Sequence, residues 1–370
     1  MTRSTPHLAE DILAGHPDRL ADAVAERIVD AAVALDPDAL VGVEVAVFRR
    51  CVTVTGRVAA GRSGEIERAI DESLVRAAYG AAGYADDWAI EPRVLFDLEL
   101  GPLSDDERGI RGFSDDQNIV VGHAVANEAT AWLPPAAFAA RRLRAALARV
   151  RGDHSDVLGP DGKLLVRLVE EGDAFRWDLC NLAVQHAEGV SYETLHRLVL
   201  PALEAEAKAL DAALPGLGAS FDTGRVRLNG GGDFSCGGPF GDNGLSGKKL
   251  VVDHYGPGAP IGGGALCGKD PHKVDRVGAL RARQLAVRIV RDTCSHEATV
   301  RLGFLPGLCE PAFLDARVDG LCWDGRFLER AIAVPDVTLE GSFRDLDLAS
   351  VRWSDVLARG YFGEGWAWEK

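Results

Sequence analysis

Lysines, aspartates and glycines crowd residues 237–276, GGPFGDNGLSGKKLVVDHYGPGAPIGGGALCGKDPHKVDR, in a mixture that no ordinary core segment requires. Lys248, Lys249, Lys269 and Lys273 bring positive charge, while Asp242, Asp270 and Asp275 bring oxygens suited to a hard cation such as magnesium. The interspersed glycines let a backbone approach a ligand closely. Together these residue types can hold a polyphosphate and its metal ion. A glycine-rich surface loop with solvated charges would share the composition, so a second feature has to decide.

That feature is Gly15-His16-Pro17-Asp18-Arg19, placed where an amphipathic helix should begin. Proline favours the first helical position, and Leu20, Val24, Ile28, Ala31 and Leu35 recur at helical spacing until Asp36-Pro37 stops the run. His16 and Asp18 therefore fall at a helix N-terminus, where free amides and the macrodipole favour an anion. A histidine there also serves as a simple cap.

In combination these pieces resemble the methionine adenosyltransferases, also called S-adenosylmethionine synthetases. The resemblance rests on GHPDRLADAV, Asp116-Gln117, Asn127-Glu128, Pro160-Asp161-Gly162-Lys163, Gln185-His186, GGPFGDNGLSGKKLVVDHYG, GGGALCGKDPHKVDR and the final YFG and WEK, in the family's order across nearly the whole chain. It implies an α+β fold of three similar domains with pseudo-threefold symmetry, a homodimer or tetramer with active sites at the subunit interface, and Mg2+ and K+ as cofactors. The implied reaction joins ATP to methionine and releases the triphosphate as phosphate and diphosphate. The implied segments are an N-terminal domain over 1–100, a gate loop over 101–112, a central domain over 113–228 and a C-terminal domain over 229–370.

Carried over position by position, His16 matches the histidine that stabilises the departing triphosphate. Lys163, Lys249, Lys269 and Lys273 match lysines around the phosphates and the reacting centre, and Lys248 stands where the family usually has arginine. Asp18 and Asp275 match magnesium ligands, and Glu44 matches the potassium carboxylate. Asp116, Asp161 and Asp242 match residues near the nucleoside or the amino acid. Two positions depart: Arg57 replaces a glutamate that helps hold the methionine amino group, and Arg108 falls where a gate-loop glutamine contacts the amino acid. A guanidinium prefers an anion to an ammonium. The departures leave open a homologue that adenosylates a different, acidic nucleophile, or a silent nucleotide-binding homologue. A P-loop over Gly263–Lys269 is disfavoured, because Asp270 replaces its Ser or Thr and no apolar strand precedes it.

The elements that must position these residues read as α+β. Val41, Val43, Val45 and Val47 alternate as a strand, a second strand follows near 52–58, and Ile66, Ile70 and Leu74 mark one helix. A helix bears Leu143, Leu147 and Val150, a hairpin turns at Gly172-Asp173, and a helix over 275–291 precedes a strand with Val300, Leu302 and Phe304. GPLSDDERGIRG, over 101–112, reads as a linker or a mobile loop. A formal charge of -15 argues against nucleic-acid or anionic-membrane partners. The opening MTRSTPHLAEDI has no apolar signal core, so a cytoplasmic enzyme is expected. Seven scattered cysteines without a C-x-x-C pair read as reduced thiols, none assigned to catalysis.

Overall fold

The structure is a computed structural model and describes residues 4–370. Its first stretch comprises β1 (Ser4–Ile12), α1 (Pro17–Leu35), β2 (Leu40–Phe48), β3 (Cys51–Ala59), α2 (Ile66–Ala69), α3 (Glu72–Ala82), β4 (Arg93–Gly101) and α4 (Asp105–Gly109). The middle comprises β5 (Asn118–Val125), α5 (Pro135–Asp153), β6 (Leu158–Glu171), β7 (Ala174–His186), α6 (Tyr192–Leu210) and α7 (Leu217–Ser220). The remainder comprises β8 (Arg227–Leu228), α8 (Gly238–Gly241), β9 (Gly244–Leu245), α9 (Leu250–Asp253), α10 (Val274–Thr293), β10 (Glu297–Phe304), β11 (Phe313–Val318), β12 (Leu321–Asp324), α11 (Gly325–Ala331), α12 (Leu339–Asp345) and α13 (Trp353–Arg359).

A repeat runs through this order. A long helix, an antiparallel hairpin and a second helix occur as α1–β2–β3–α3, as α5–β6–β7–α6 and as α10–β10–β11–α12. Each hairpin lies in its own four-stranded sheet, ordered β4-β3-β2-β9, β1-β6-β7-β8 and β12-β11-β10-β5. The fold is α+β with pseudo-threefold design, as the resemblance implies. α1 keeps Leu20, Val24 and Ile28 wholly buried, and its run ends where Asp36 turns extended before Pro37.

The sheets do not follow contiguous segments. β1 pairs with β6 of the middle unit, β5 pairs with β10 of the last, and β9 pairs with β2 of the first. Strand pairing depends on register and apolar face, which act between segments distant in sequence. Two expectations change. The single helix through Ile66, Ile70 and Leu74 is two helices, because Ile70 turns extended and the Asp71 side chain accepts from the Ser73 amide to start α3. The 101–112 stretch is not all loop: Ser104 and Glu107 form a reciprocal capping box that begins α4.

The apolar residues form two cores. One joins the α1 and α10 units, with Ile28, Val43 and Val54 sharing a cluster with Leu280, Val300 and Trp353. The other belongs to the α5 unit, around Leu143, Val166, Leu182 and Leu203. Trp368 is buried and stacks near Trp353 and Trp366 at 6.3 and 5.6 Å, so the C-terminal aromatics serve packing. All seven cysteines are free, and no helix among the described residues is long and apolar enough to cross a membrane.

Candidate active site

The edge of β2 opposite β3 gathers the glycine-rich blocks. Residues 268–270 bond along Val41–Val43: Val43 N donates to Gly268 O at 2.9 Å and Asp270 N donates to Val41 O at 3.1 Å. Residues 244–246 continue along the same edge, with Ser246 N donating to Val45 O at 2.9 Å. Two blocks some twenty residues apart thus become neighbours on one strand. Each also sets a glycine against a helix start. A Cβ on Gly244 would fall 2.1 Å from Pro17 O, and one on Gly264 would fall 1.5 Å from Asp275 Oδ1. Only glycine permits either approach.

At the start of α1, Asp18 is 1% exposed and receives Leu245 N on Oδ1 at 3.0 Å. The Lys249 ammonium bonds its Oδ2, and Lys248 lies 3.5 Å from its Oδ1. Burial raises the Asp18 carboxyl, but the Lys249 and Leu245 bonds outweigh that and hold it below the usual range. His16 caps the helix, its Nδ1 accepting from Asp18 N at 3.2 Å. Burial first, then the charge of Lys249, lowers His16 to about 4. The ring is neutral at pH 7, and because Nδ1 accepts, its proton sits on Nε2 as a free donor.

Other expected residues adjoin this cluster. Gly15 N bonds Pro160 O at 3.2 Å, which brings the Asp161–Lys163 segment against the His16 turn. Lys163 pairs with Glu10 at 2.8 Å. Asp161 Oδ2 accepts from Gly238 N at 2.8 Å, and burial pushes its carboxyl up to about 6. Asp242 is exposed and accepts from Asn243 N at 2.8 Å. Glu44 is exposed on β2 and receives the Ser246 hydroxyl at 3.1 Å.

A second cluster forms at the start of α10. Asp275 Oδ1 receives Lys269 at 2.9 Å and Asn118 Nδ2 at 2.7 Å, and Lys273, the N-cap residue, pairs with Asp115. Asp116 is exposed and turns its Oδ1 onto Gln117 N at 2.7 Å, so Asp115 is the residue that meets the lysine. No hydrogen bond or ion pair among the described residues joins this cluster to His16, Asp18 or Lys249. No three His, Cys, Asp or Glu side chains among the described residues converge as a metal cage. Magnesium held with phosphates takes only one or two protein carboxylates, which lone Asp18 and Asp275 beside lysines fit.

Arg57 and Arg108 are engaged with carboxylates. Arg57 pairs with Glu99 at 2.6 Å and with Glu107 of α4, and Arg108 pairs with Asp36 at 2.6 Å and with Asp38. Arg111 adds a buried pair to Asp270, so three arginines tie the 104–111 segment to the body. Sequence reasoning missed Asp22, which is wholly buried and receives Gly247 N at 2.8 Å and Cys267 Sγ at 3.1 Å. Its signal was the spacing of four from Asp18, which puts both carboxylates on one helix face. Asp115 and Asn118 carried no comparable local signal.

Lysine–carboxylate clusters thus stand at two helix starts on a threefold-repeated α+β fold. The chain belongs to the S-adenosylmethionine synthetase family. Residues 5–92 match that family's N-terminal domain and residues 236–370 its C-terminal domain. An S-adenosylmethionine synthase of Mycolicibacterium gilvum is 32% identical over 98% of this chain and 95% of its own. One of Clostridium botulinum is 30% identical over 96% and 93%. An unusual S-adenosylmethionine synthetase from Campylobacter jejuni superposes with a TM-score of 0.84 at 26% identity, covering 99% of this chain and 96% of that one.

Proposed function

We propose that the chain forms S-adenosylmethionine from ATP and methionine. The observation that carries the reading is the convergence of Lys248, Lys249 and neutral His16 on Asp18, where a triphosphate leaving group would need them. In the reaction the thioether sulfur attacks C5′ of the ribose, the C5′–O5′ bond breaks, and its electron pair departs with the triphosphate. A thioether has no proton to remove, so alignment and charge stabilisation replace a general base.

His16 donates from Nε2 to the departing oxygens, and the lysines neutralise the charge that grows on them. Water then splits the triphosphate to phosphate and diphosphate. Bound magnesium would supply further charge neutralisation, held by Asp18 and Asp275, and potassium would be held by Glu44. Two copies of the chain would bring the α1 cluster of one against the α10 cluster of the other. Exposed apolar residues on the sheets, including Leu8, Leu95, Ile119 and Phe313, would be covered in such a dimer.

Mass spectrometry of the protein with ATP, magnesium, potassium and methionine tests this. S-adenosylmethionine is the expected product. Triphosphate or phosphate release without that product would replace methionine by another nucleophile. Neither product would leave a silent nucleotide-binding homologue.

A further inference from the structure

A cavity of about 120 Å³, lined by none of the expected site residues, opens where the end of β1 meets α1, α3, α5, α9 and α13. Five arginines and two aspartates line it among small apolar side chains. Three of the arginines are matched. Arg144 pairs with Asp11 at 3.1 Å, and Arg19 with Asp22 at 3.1 Å and Asp253 at 2.7 Å. Arg359 lies 3.8 Å from Glu364.

The other two are not. Arg27 has no hydrogen bond or ion pair among the described residues, and the buried Arg141 meets only backbone carbonyls, those of Phe362 and of His254 at 3.3 Å. A buried guanidinium without a carboxylate is costly. An opposite deficit lies beside it: Asp253 is 5% exposed, and its Oδ2 has no partner. An acceptor orphaned in this way costs about 1–3 kcal/mol. The two deficits are one residue apart, because Arg141 bonds the carbonyl of His254, next after Asp253.

We propose that this cavity is a binding site for an acidic α-amino acid. The two guanidiniums without carboxylate partners take its two carboxylates, and the Asp253 carboxylate in the cavity wall takes its ammonium. A water needs roughly 10–15 Å³ of such space, so the cavity holds about eight to twelve non-hydrogen atoms. Aspartate fits that size. Ala23, Ala78, Ala81 and Ala82 offer apolar surface to its carbon chain. A route to the phosphate-side loops exists, since Arg19 of the cavity bonds Asp22, which holds Gly247 and Cys267.

Equilibrium dialysis of the full chain with radiolabelled L-aspartate tests the proposal without reference to any activity. Saturable binding of one aspartate per chain is expected, displaced at least tenfold less well by L-alanine, which lacks the second carboxylate, and by succinate, which lacks the ammonium. Arg27→Met should weaken binding at least tenfold, and Asp253→Asn likewise. Arg27 is half-buried and makes no bond among the described residues, so its variant keeps the test open if Asp253→Asn fails to fold. No saturable aspartate binding would overturn the proposal. Equal competition by succinate or inorganic phosphate would overturn it in favour of a plain anion site, and so would binding that Arg27→Met leaves unchanged.

Discussion

The three long helices α1, α5 and α10 begin equivalent repeats, yet only two of them begin with a lysine–carboxylate cluster. α1 and α10 each place an aspartate, Asp18 or Asp275, at the second helical position, two residues after the N-cap residue His16 or Lys273. α5 begins Pro134-Pro135-Ala136 and has no acidic residue in its first turn. The same division runs through the interior. The α1 and α10 units share one core and are joined by Glu26 and Arg276, both wholly buried, whose guanidinium bonds the carboxylate at 2.7 and 2.8 Å. The α5 unit has its own core. Repetition of a fold copies the helix start as a scaffold, and here only two of the three copies bring a carboxylate and a lysine-bearing loop together at it.

The largest expected effect comes from cutting the link between the two site-bearing units. Glu26→Gln should cost about 3–5 kcal/mol in urea unfolding, because Arg276 would remain buried without its charge partner. Within the α5 unit the comparable change is milder. Glu206 pairs with Arg142 and Arg149, whose side chains are 47% and 65% exposed, so Glu206→Gln should cost no more than about 1 kcal/mol by the same measurement.

Next come the helix starts themselves. Asp18→Asn and Asp275→Asn should each lower kcat for S-adenosylmethionine formation by about 10²–10³-fold. Pro135→Ala, at the start of α5, should leave it within about twofold. An unaffected rate in Asp275→Asn would remove the α10 cluster from the site.

Acidification separates the units less sharply. His16 at α1 and His123 on β5 are both lowered to about 4 from 6.5, chiefly by burial. Between pH 6.5 and 4 the unfolded chain therefore binds protons that the native state does not, and stability falls as pH falls through that window. Asp161, beside the α1 cluster, has the opposite sign. Its carboxyl is raised by burial from 3.8 to about 6, so the native state binds the extra proton and stability rises as pH falls from 6 to 3.8. His16→Asn and His123→Asn should each flatten the acid limb of a melting-temperature profile, and Asp161→Asn should steepen it.

The smallest effect is expected at α4. Arg57→Ala or Arg108→Ala removes partly exposed pairs and should change stability by less than about 1 kcal/mol. Each frees the segment tied over the body, so the change should fall on KM and its salt dependence more than on kcat. A large fall in kcat with unchanged KM would instead make these arginines part of the reacting centre.

Much of this was legible in the chain. The helix from Pro17 to Leu35 followed from proline, apolar spacing and the Asp36-Pro37 stop, because those signals act within a few residues. The β2–β3 and β6–β7 hairpins followed from alternation and the Gly172 turn. The break at Ile70 was hidden because apolar spacing continues across it while Asp71 restarts the helix through a side-chain bond. Arg57 and Arg108 were read as partners for a substrate, since nothing local ties Arg57 to Glu107 fifty residues on, or Arg108 to Asp36.

By itself the order of residues marked which side chains could carry chemistry and the helix starts at which they fall, since capping, periodicity and residue type are short-range properties. Only the tertiary structure decided that both glycine-rich blocks lie along β2, that β1, β5 and β9 pair outside their contiguous segments, and that Asp115 meets Lys273. The reason is physical: strand register and buried ion pairs are chosen by the fit of surfaces distant in sequence, and no local signal encodes that fit.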